Sequence, residues 1–326
     1  MYASTGDTRL NQRLDYMLTQ LKRCQDKIGT GYLGGMPGGI EMWKDIEQGK
    51  ITSDTFALNG KWVPLYNLHK LLAGLRDAYL IAGKPEAKTM LIRLTDFIYN
   101  VSAKLSDEQI QTMLFSEQGG LNEVFADVDV ITGDKKYLVL ARRYSHRMIL
   151  DPLILGEDKL NGLHANMQIP KVVGFERIAE TGGDTDYAKA ARFFWETVVK
   201  HRTVVIGGNS VAEHFNPSDD FSSMITNIAG PETCNTYNML KLTKDLFQTS
   251  QQLTYMDFYE RALYNHILSS QHPVTGDLCI THRCVRGIIV CIRSHKYACD
   301  AVSDPVWKIM ANMESSFIAT WTMMCM

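Results

Sequence analysis

Cysteine is scarce in most of this sequence of 326 residues, and the first 276 contain only Cys24 and Cys234. So few thiols exclude a disulfide-rich scaffold over that length. Basic stripes are also missing, and the net charge is −2, so we expect no nucleic-acid partner. No apolar run is long enough to span a membrane, and no signal-type segment opens the chain, so we expect no membrane partner and assign no compartment.

Strand patterns are few, and "RTVVIGG" at 202–208 is the best of them. The sequence instead repeats a glycine-centred turn between amphipathic segments, with Gly83, Gly133 and Gly183 spaced 50 residues apart and a fainter copy at 247–255. Glycine ends a helix in the left-handed conformation, and a capping residue begins the next one. The repeat therefore predicts an all-α fold of stacked helical hairpins, as an open solenoid or an (α/α)6-type toroid.

Four polar loops favour the toroid, because all of them fall at the same phase of the repeat. We expect them to gather at one end as a polar loop rim that forms a sugar pocket. Aromatic side chains there could stack on a sugar or simply pack the loops, and His69 and His164 could bond its hydroxyls. The loops are "GTGYLGGMPGG", "SEQGGLNEV", "DKLNGLHANMQIPK" and "IGGNSVAEHFNPSDDFSSM", and the aromatic residues are Tyr32, Trp43, Trp62 and Tyr66.

The stretch "IAGPETCNTYNMLKLT" at 228–243 places Glu232 and Cys234 two residues apart at the start of a helix. Cys234 could be a buried small hydrophobe. Alternatively, Glu232 and Cys234 could be two zinc ligands. Glu213 lies 19 residues before Glu232, and the two could form a glycosidase carboxylate pair. Glu213 could equally be the sole acid/base beside a metal-binding Glu232, and spacing alone leaves both readings open.

Seven longer stretches resemble the β-L-arabinofuranosidase family, glycoside hydrolase family 127, and its close relative family 146. They are "NGKWVPLYNLHKLLAGLRDAYLIAG", "SEQGGLNEVFADV", "LNGLHANMQIPK", "RTVVIGGNSVAEHF", "DDFSSM", "GPETCNTYNMLKLT" and "ERALYNHILSSQHP". The resemblance implies that residues 1–276 are part of an (α/α)6 catalytic domain. It also implies retaining hydrolysis at the non-reducing end of an arabinose-containing oligosaccharide or plant glycan, with a zinc-bound cysteine as nucleophile.

Position by position, Glu213 resembles the general acid/base of that family, and Glu232 and Cys234 resemble two of its zinc ligands. His69, Glu123 and His164 lie in motifs that line the family's sugar subsite. Zinc is therefore the expected cofactor of an intact site, because a bound thiol becomes a thiolate near neutral pH.

The sequence departs from the family at its end, since the family's remaining ligands are an adjacent cysteine pair and this chain has none. Residues 277–326 hold five scattered cysteines and no family motif. If this segment is back-translated with permitted codons and the bases are read two positions along, the family's pattern can be restored. We therefore predict that the tail is the product of a frameshift. The chain also begins inside a hairpin, which predicts truncation. The alternative to a hydrolase is therefore an inactive remnant that at most binds sugar.

Overall fold

The computed structural model describes residues 1–227, 229–271, 283–285 and 288–290. The domain boundary predicted at residue 276 and most of the predicted tail lie outside these residues.

The described chain is mostly helical, as the repeat predicts. Its strands form two short antiparallel hairpins, β1–β2 and β3–β4. A π-helical turn at Leu263–Ile267 and a 3₁₀ turn at Leu268–Ser270 follow the last helix. The elements are α1 Tyr2–Thr5, α2 Thr8–Ile28, α3 Gly39–Glu47, β1 Ala57–Leu58, β2 Lys61–Trp62, α4 Pro64–Leu80, α5 Pro85–Ser102, α6 Asp107–Met113, α7 Leu121–Thr132, α8 Lys136–Arg143, α9 Arg147–Leu155, α10 Ala165–Gly182, α11 Thr185–His201, α12 Ser222–Thr226, α13 Thr233–Ser250, α14 Leu253–Ala262, β3 Arg283–Val285 and β4 Ile288–Val290.

The repeated glycines end helices, as expected from their spacing. Gly83, Gly133 and Gly183 follow α4, α7 and α10 with φ of 67°, 75° and 71°, the left-handed conformation that glycine adopts without strain. The fainter copy behaves in the same way, because Gln251 ends α13 with φ of 54°. The hairpin period read from the sequence is therefore confirmed.

Residues 202–208, which carry the best strand pattern in the sequence, do not form a strand. Arg202 ends α11, and a tight turn closes where the Gly207 amide donates to the Val204 carbonyl at 2.9 Å. The only pairing of this segment in the described chain is a single bridge between Thr203 and Asn209. The β-branched run was misleading because Gly207, with φ of 97°, reverses the chain before a ladder can form.

The chain divides into two compact units. The described part of the first contains Met1–Leu33 and Leu71–Phe97. Within it, the buried Gln25 amide donates to the carbonyls of Gly31 and Met90 at 2.8 and 3.2 Å. These bonds join the end of α2 to α5.

The second unit contains Gly34–Lys70 and Ile98–Ile292. Here α7, α10 and α13 pack side by side, and α8, α11 and α14 pack against them as the second helices of successive hairpins. Helix α10 is buried on nearly every side, as expected for a helix with neighbours on both flanks and behind it. Among the helices that the structure describes, none is long and apolar enough to cross a membrane.

Candidate active site

Three of the four polar loops meet in the second unit, beside the N-terminal ends of α7, α10 and α13. Backbone bonds join the loop before α10 to the loop before α12: the Ala165 amide donates to the Glu213 carbonyl at 2.8 Å, and the Phe215 amide donates to the Leu163 carbonyl at 2.9 Å. The loop before α7 is joined to residues 53–56 by a 3.0 Å bond from the Glu117 amide to the Thr55 carbonyl. This arrangement brings the side chains predicted from the sequence to one place.

His164 and Glu213 form an ion pair at the centre of this site, with Nε2 and Oε2 3.5 Å apart. Burial lowers the pKa of His164, but the hydrogen bond to Glu213 and the charges of Glu213, Glu117 and Glu232 outweigh it, so the pKa is raised overall. The bond to His164 in turn lowers the pKa of Glu213, against the opposing effect of burial. The free protein therefore holds Glu213 as a carboxylate.

The loop that carries Glu213 has a strained backbone. Ser210, Ala212 and Glu213 have φ of 72°, 45° and 68°, a region that residues with a Cβ rarely adopt. Strain of this kind costs about 1–3 kcal/mol per residue and persists only where surrounding contacts hold it. Here the buried Asn235 amide of α13 donates to the Ser210 hydroxyl, and the Ala212 amide donates to the Ala229 carbonyl at 2.8 Å.

Glu232 and Cys234 lie at the start of α13, and both are buried. Glu232 is the N-cap residue but makes no side-chain capping bond. Its carboxylate accepts a hydrogen bond from the Cys234 thiol instead. Burial raises the pKa of Glu232 and the charge of Glu213 adds to this, while the thiol lowers it. Among the described residues, Oε2 of Glu232 has no hydrogen-bond partner.

Zinc fits this donor pair only in part. A carboxylate with one unpaired buried oxygen beside a thiol is a suitable pair of zinc donors, but a structural site needs four ligands. The described part of the chain holds no group of three or more His, Cys, Asp and Glu side chains that could bind a metal ion. The described donors thus supply half of a tetrahedral site and do not complete it.

His69 and Glu123 lie together against the glycine pair that precedes α7. The Gly120 amide donates to Nδ1 of His69 at 3.2 Å, so the ring proton of a neutral His69 is on Nε2. A Cβ on Gly119 would lie 2.2 Å from the His69 ring, and one on Gly120 would lie 3.1 Å from Oε2 of Glu123. The "GG" of "SEQGG" therefore leaves the space that both side chains occupy.

Glu123 faces α13, where Lys241 donates to its two oxygens at 3.2 and 3.3 Å. The structure therefore brings His164, Glu213, Glu232 and Cys234 into one electrostatically coupled group. His69 and Glu123 form a second pair beside it.

Sequence reasoning missed Glu117, Gln118 and Lys70 as candidates. Burial raises the pKa of Glu117, opposed by the charges of His164, Lys70 and Lys171. Desolvation of its amine by the surrounding protein and the charge of Lys241 lower the pKa of Lys70 to about 8. Gln118 is fully buried, and neither of its amide atoms has a partner among the described residues. The sequence could have indicated them, because Glu117 and Gln118 belong to the "SEQGG" motif and Lys70 directly follows His69.

For two of the four aromatic residues, the structure favours packing over sugar stacking. Tyr32 and Trp43 are buried in the cores of their respective units and cannot present a ring face to a ligand. Trp62 is 69% exposed. Tyr66 is partly buried, with Nζ of Lys70 4.8 Å from the centre of its ring.

Comparison with known proteins supports the fold. Residues 1–283 match the model of the β-L-arabinofuranosidase GH127 catalytic domain. The structure is similar to that of a GH127 β-L-arabinofuranosidase from Geobacillus stearothermophilus T6, with a TM-score of 0.67, 17% identity, and coverage of 92% of this chain and 48% of that one. A second GH127 β-arabinofuranosidase gives a TM-score of 0.61 at 20% identity, with coverage of 86% and 45%.

No curated protein matches the chain. The chain spans about half the length of these two solved structures. At such low identity the similarity shows the fold alone, and it agrees with the all-α, (α/α)6-type fold predicted from the repeat and its polar loops.

Proposed function

Because the chain belongs to the GH127 β-L-arabinofuranosidase family, we propose that its second unit binds the terminal β-L-arabinofuranose of a glycan and carries the acid/base group for hydrolysis. The observation that carries the proposal is the His164–Glu213 pair, held by a strained loop between the starts of α10 and α13. Strain maintained by buried contacts is typical of functional sites.

Glu213 is the proton donor to the leaving oxygen in this proposal, and it later takes a proton from the attacking water. Its side chain is 58% exposed, so it can reach a ligand. A donor must first be protonated, whereas His164 keeps Glu213 ionised in the free protein. A sugar that separates the two side chains and excludes water would raise the pKa of Glu213 and prepare it as an acid.

His69, Glu123 and His164 form the sugar subsite, together with Glu117. Imidazole and carboxylate groups that lie side by side can pair with neighbouring sugar hydroxyls as donors and acceptors. Glu232 and Cys234 are the zinc-ligand positions. Bound zinc would supply a thiolate for nucleophilic attack, and the described residues provide two of its ligands.

A second candidate function is sugar binding without catalysis. It is favoured by the donor count, since Glu232 and Cys234 supply two donors where zinc favours four. Glu213 would then assist no covalent step, and the site would only hold the sugar.

Calorimetric titration with methyl β-L-arabinofuranoside tests the sugar site. We expect the β-anomer to bind more tightly than the α-anomer, and His164→Ala to weaken binding at least about tenfold because it removes a partly buried hydrogen-bonding group. His201→Ala is the matched control, since His201 is an exposed histidine at the end of α11. Equal effects of the two substitutions, or no preference for the β-anomer, would contradict the proposal.

Turnover of an aryl β-L-arabinofuranoside separates the two candidates. Hydrolysis by the unmodified chain would exclude sugar binding alone, and Glu213→Gln should then lower the rate by about 10²–10⁴-fold. Tight binding without turnover would favour the second candidate.

A further inference from the structure

Trp62 presents a large apolar ring to solvent close to the proposed sugar site. Its residue surface is 69% exposed, whereas Trp43 and Trp195 are buried. Exposed tryptophan is enriched where a flat apolar surface meets a ligand, because the ring gives a large contact area at a small cost in conformational entropy.

The ring is carried by a short hairpin with a defined geometry. Strands β1 and β2 pair antiparallel with Ala57 opposite Trp62, and Asn59 and Gly60 form the turn with φ of 49° and 69°. Positive φ at both positions is the two-residue turn that matches the twist of hairpin strands. Leu58 is fully buried and anchors the hairpin.

The Asn59 side chain fastens the turn to the preceding segment. It accepts from the Thr52 amide at 2.7 Å and donates to the Lys50 carbonyl at 2.8 Å. The hairpin is therefore a positioned support for the exposed ring.

A chain of aromatic contacts leads from Trp62 to the site. Trp62 stacks on Phe56 with ring centres 5.4 Å apart and planes inclined by 28°. Phe56 in turn meets His164 edge to face, with ring centres 5.8 Å apart. One aromatic ring thus separates the histidine that pairs with Glu213 from the exposed indole. The Val63 amide donates to the Phe56 carbonyl at 2.8 Å, so Phe56 is held to the end of the same hairpin.

We propose that Trp62 is a stacking platform for the second sugar of the glycan, the residue that the terminal arabinofuranose leaves behind on hydrolysis. The inference rests on the proposed function, because it places the terminal sugar at His164 and Glu213. The carbon–hydrogen face of a sugar ring is apolar and packs against an indole. A sugar that binds through this face therefore fits the exposed side of the Trp62 ring, which only the ring of Phe56 separates from His164.

Calorimetric titration of the full chain with two ligands tests this platform. One is methyl β-L-arabinofuranoside, and the other is a disaccharide with β-L-arabinofuranose at its non-reducing end. We expect the disaccharide to bind about 3- to 10-fold more tightly, the range expected for one aromatic stacking contact. Trp62→Ala should remove this advantage and leave monosaccharide affinity unchanged, while Trp62→Tyr should keep most of it.

Tyr16→Ala is the matched control, because Tyr16 is an aromatic residue of α2 with 68% exposure. It should preserve the disaccharide advantage, and thermal unfolding of each variant checks that the fold is intact. A disaccharide advantage that survives Trp62→Ala would overturn the inference, as would an equal loss of affinity for both ligands. Binding of the monosaccharide with no gain for the disaccharide overturns the platform alone, whereas failure of both sugars to bind overturns the proposed function as well.

Discussion

The charge of the His164–Glu213 pair determines how the candidate acid/base responds to pH. The folded pKa of His164 is raised from 6.5, so its contribution to stability is complete below that value and is lost as pH rises through the raised pKa. The folded pKa of Glu213 is lowered from 4.5, so its contribution is present above that value and is lost as pH falls through the lowered pKa. Between pH 4.5 and 6.5 both groups are therefore charged, and in this range the pair stabilises the fold most.

Glu213→Gln should consequently lower the free energy of unfolding most near about pH 5.5, and less at an alkaline pH above the raised pKa of His164. The loss should stay below about 1 kcal/mol because Glu213 is largely exposed and solvent screens the pair. Urea unfolding of the two proteins across this range measures the difference. A loss that is the same at both pH values would mean that the pair does not form in solution.

Lys171 is a buried amine whose pKa burial lowers to about 7, with Glu117 opposing the shift. Its ammonium group contacts Nδ1 of His146 at 3.1 Å and donates to Oε1 of Gln168 at 3.0 Å. The folded state binds a proton less readily than the unfolded state, so stability rises with pH from about 7 to the ordinary lysine value of 10.5.

Lys171→Met should therefore flatten the dependence of unfolding free energy on pH in that range. The free energy of unfolding of the variant, relative to that of the parent protein, should be highest below about pH 7, where the parent buries a charged amine. This difference should decline above about pH 7, because the parent becomes more stable as Lys171 loses its proton. Denaturant unfolding at a series of pH values gives the comparison. Parallel curves for both proteins would show that Lys171 is not the group that titrates.

At the scale of elements, the Asn235 amide of α13 holds the loop that carries Glu213. Asn235→Ala removes the bond to Ser210 and leaves a fully buried hydroxyl without that partner, at an expected cost of about 1–3 kcal/mol. The loop should then relax, Glu213 should move from His164, and the pKa of His164 should fall towards 6.5.

Titration of the His164 ring by NMR follows this change directly. Asn238→Ala is the control, because Asn238 is also on α13 and donates to Asn166 at 2.7 Å without touching the loop. An equal fall in the His164 pKa in both variants would show a general loosening of α13 and would contradict the specific role of Asn235.

Elements were predictable where a local rule fixes the backbone. Gly133 ends a helix because its left-handed φ follows from its own chemistry, and its spacing from Gly183 gives the hairpin period. The strand pattern at 202–208 produces no strand because β-branched residues only favour extended backbone, and Gly207 turns the chain there. The burial of Trp43 was not predictable, since an aromatic residue in a polar loop gives no sign of which side faces the core.

At the scale of the whole molecule, the site residues were identified through motifs and not through their geometry. The sequence gives no distance between Glu213 and His164, and their pairing depends on backbone bonds between two loops that are about fifty residues apart in the chain. Glu117 was missed for the same reason, because only folding places its carboxylate near His164 and Lys70.

The zinc content of residues 1–326 follows from the number of ligands that they supply. Glu232 and Cys234 are two donors on one helix start, and the described residues provide no group of three. An incomplete site binds zinc weakly, because each missing ligand leaves a position that water must fill. We therefore expect less than one zinc per chain after dialysis, and turnover of an aryl β-L-arabinofuranoside only in proportion to the zinc that is bound. Elemental analysis beside the assay provides the measurement. One tightly held zinc together with hydrolysis, both lost in Cys234→Ser, would show that residues 272–326 supply the remaining ligands and that the chain is a complete catalyst.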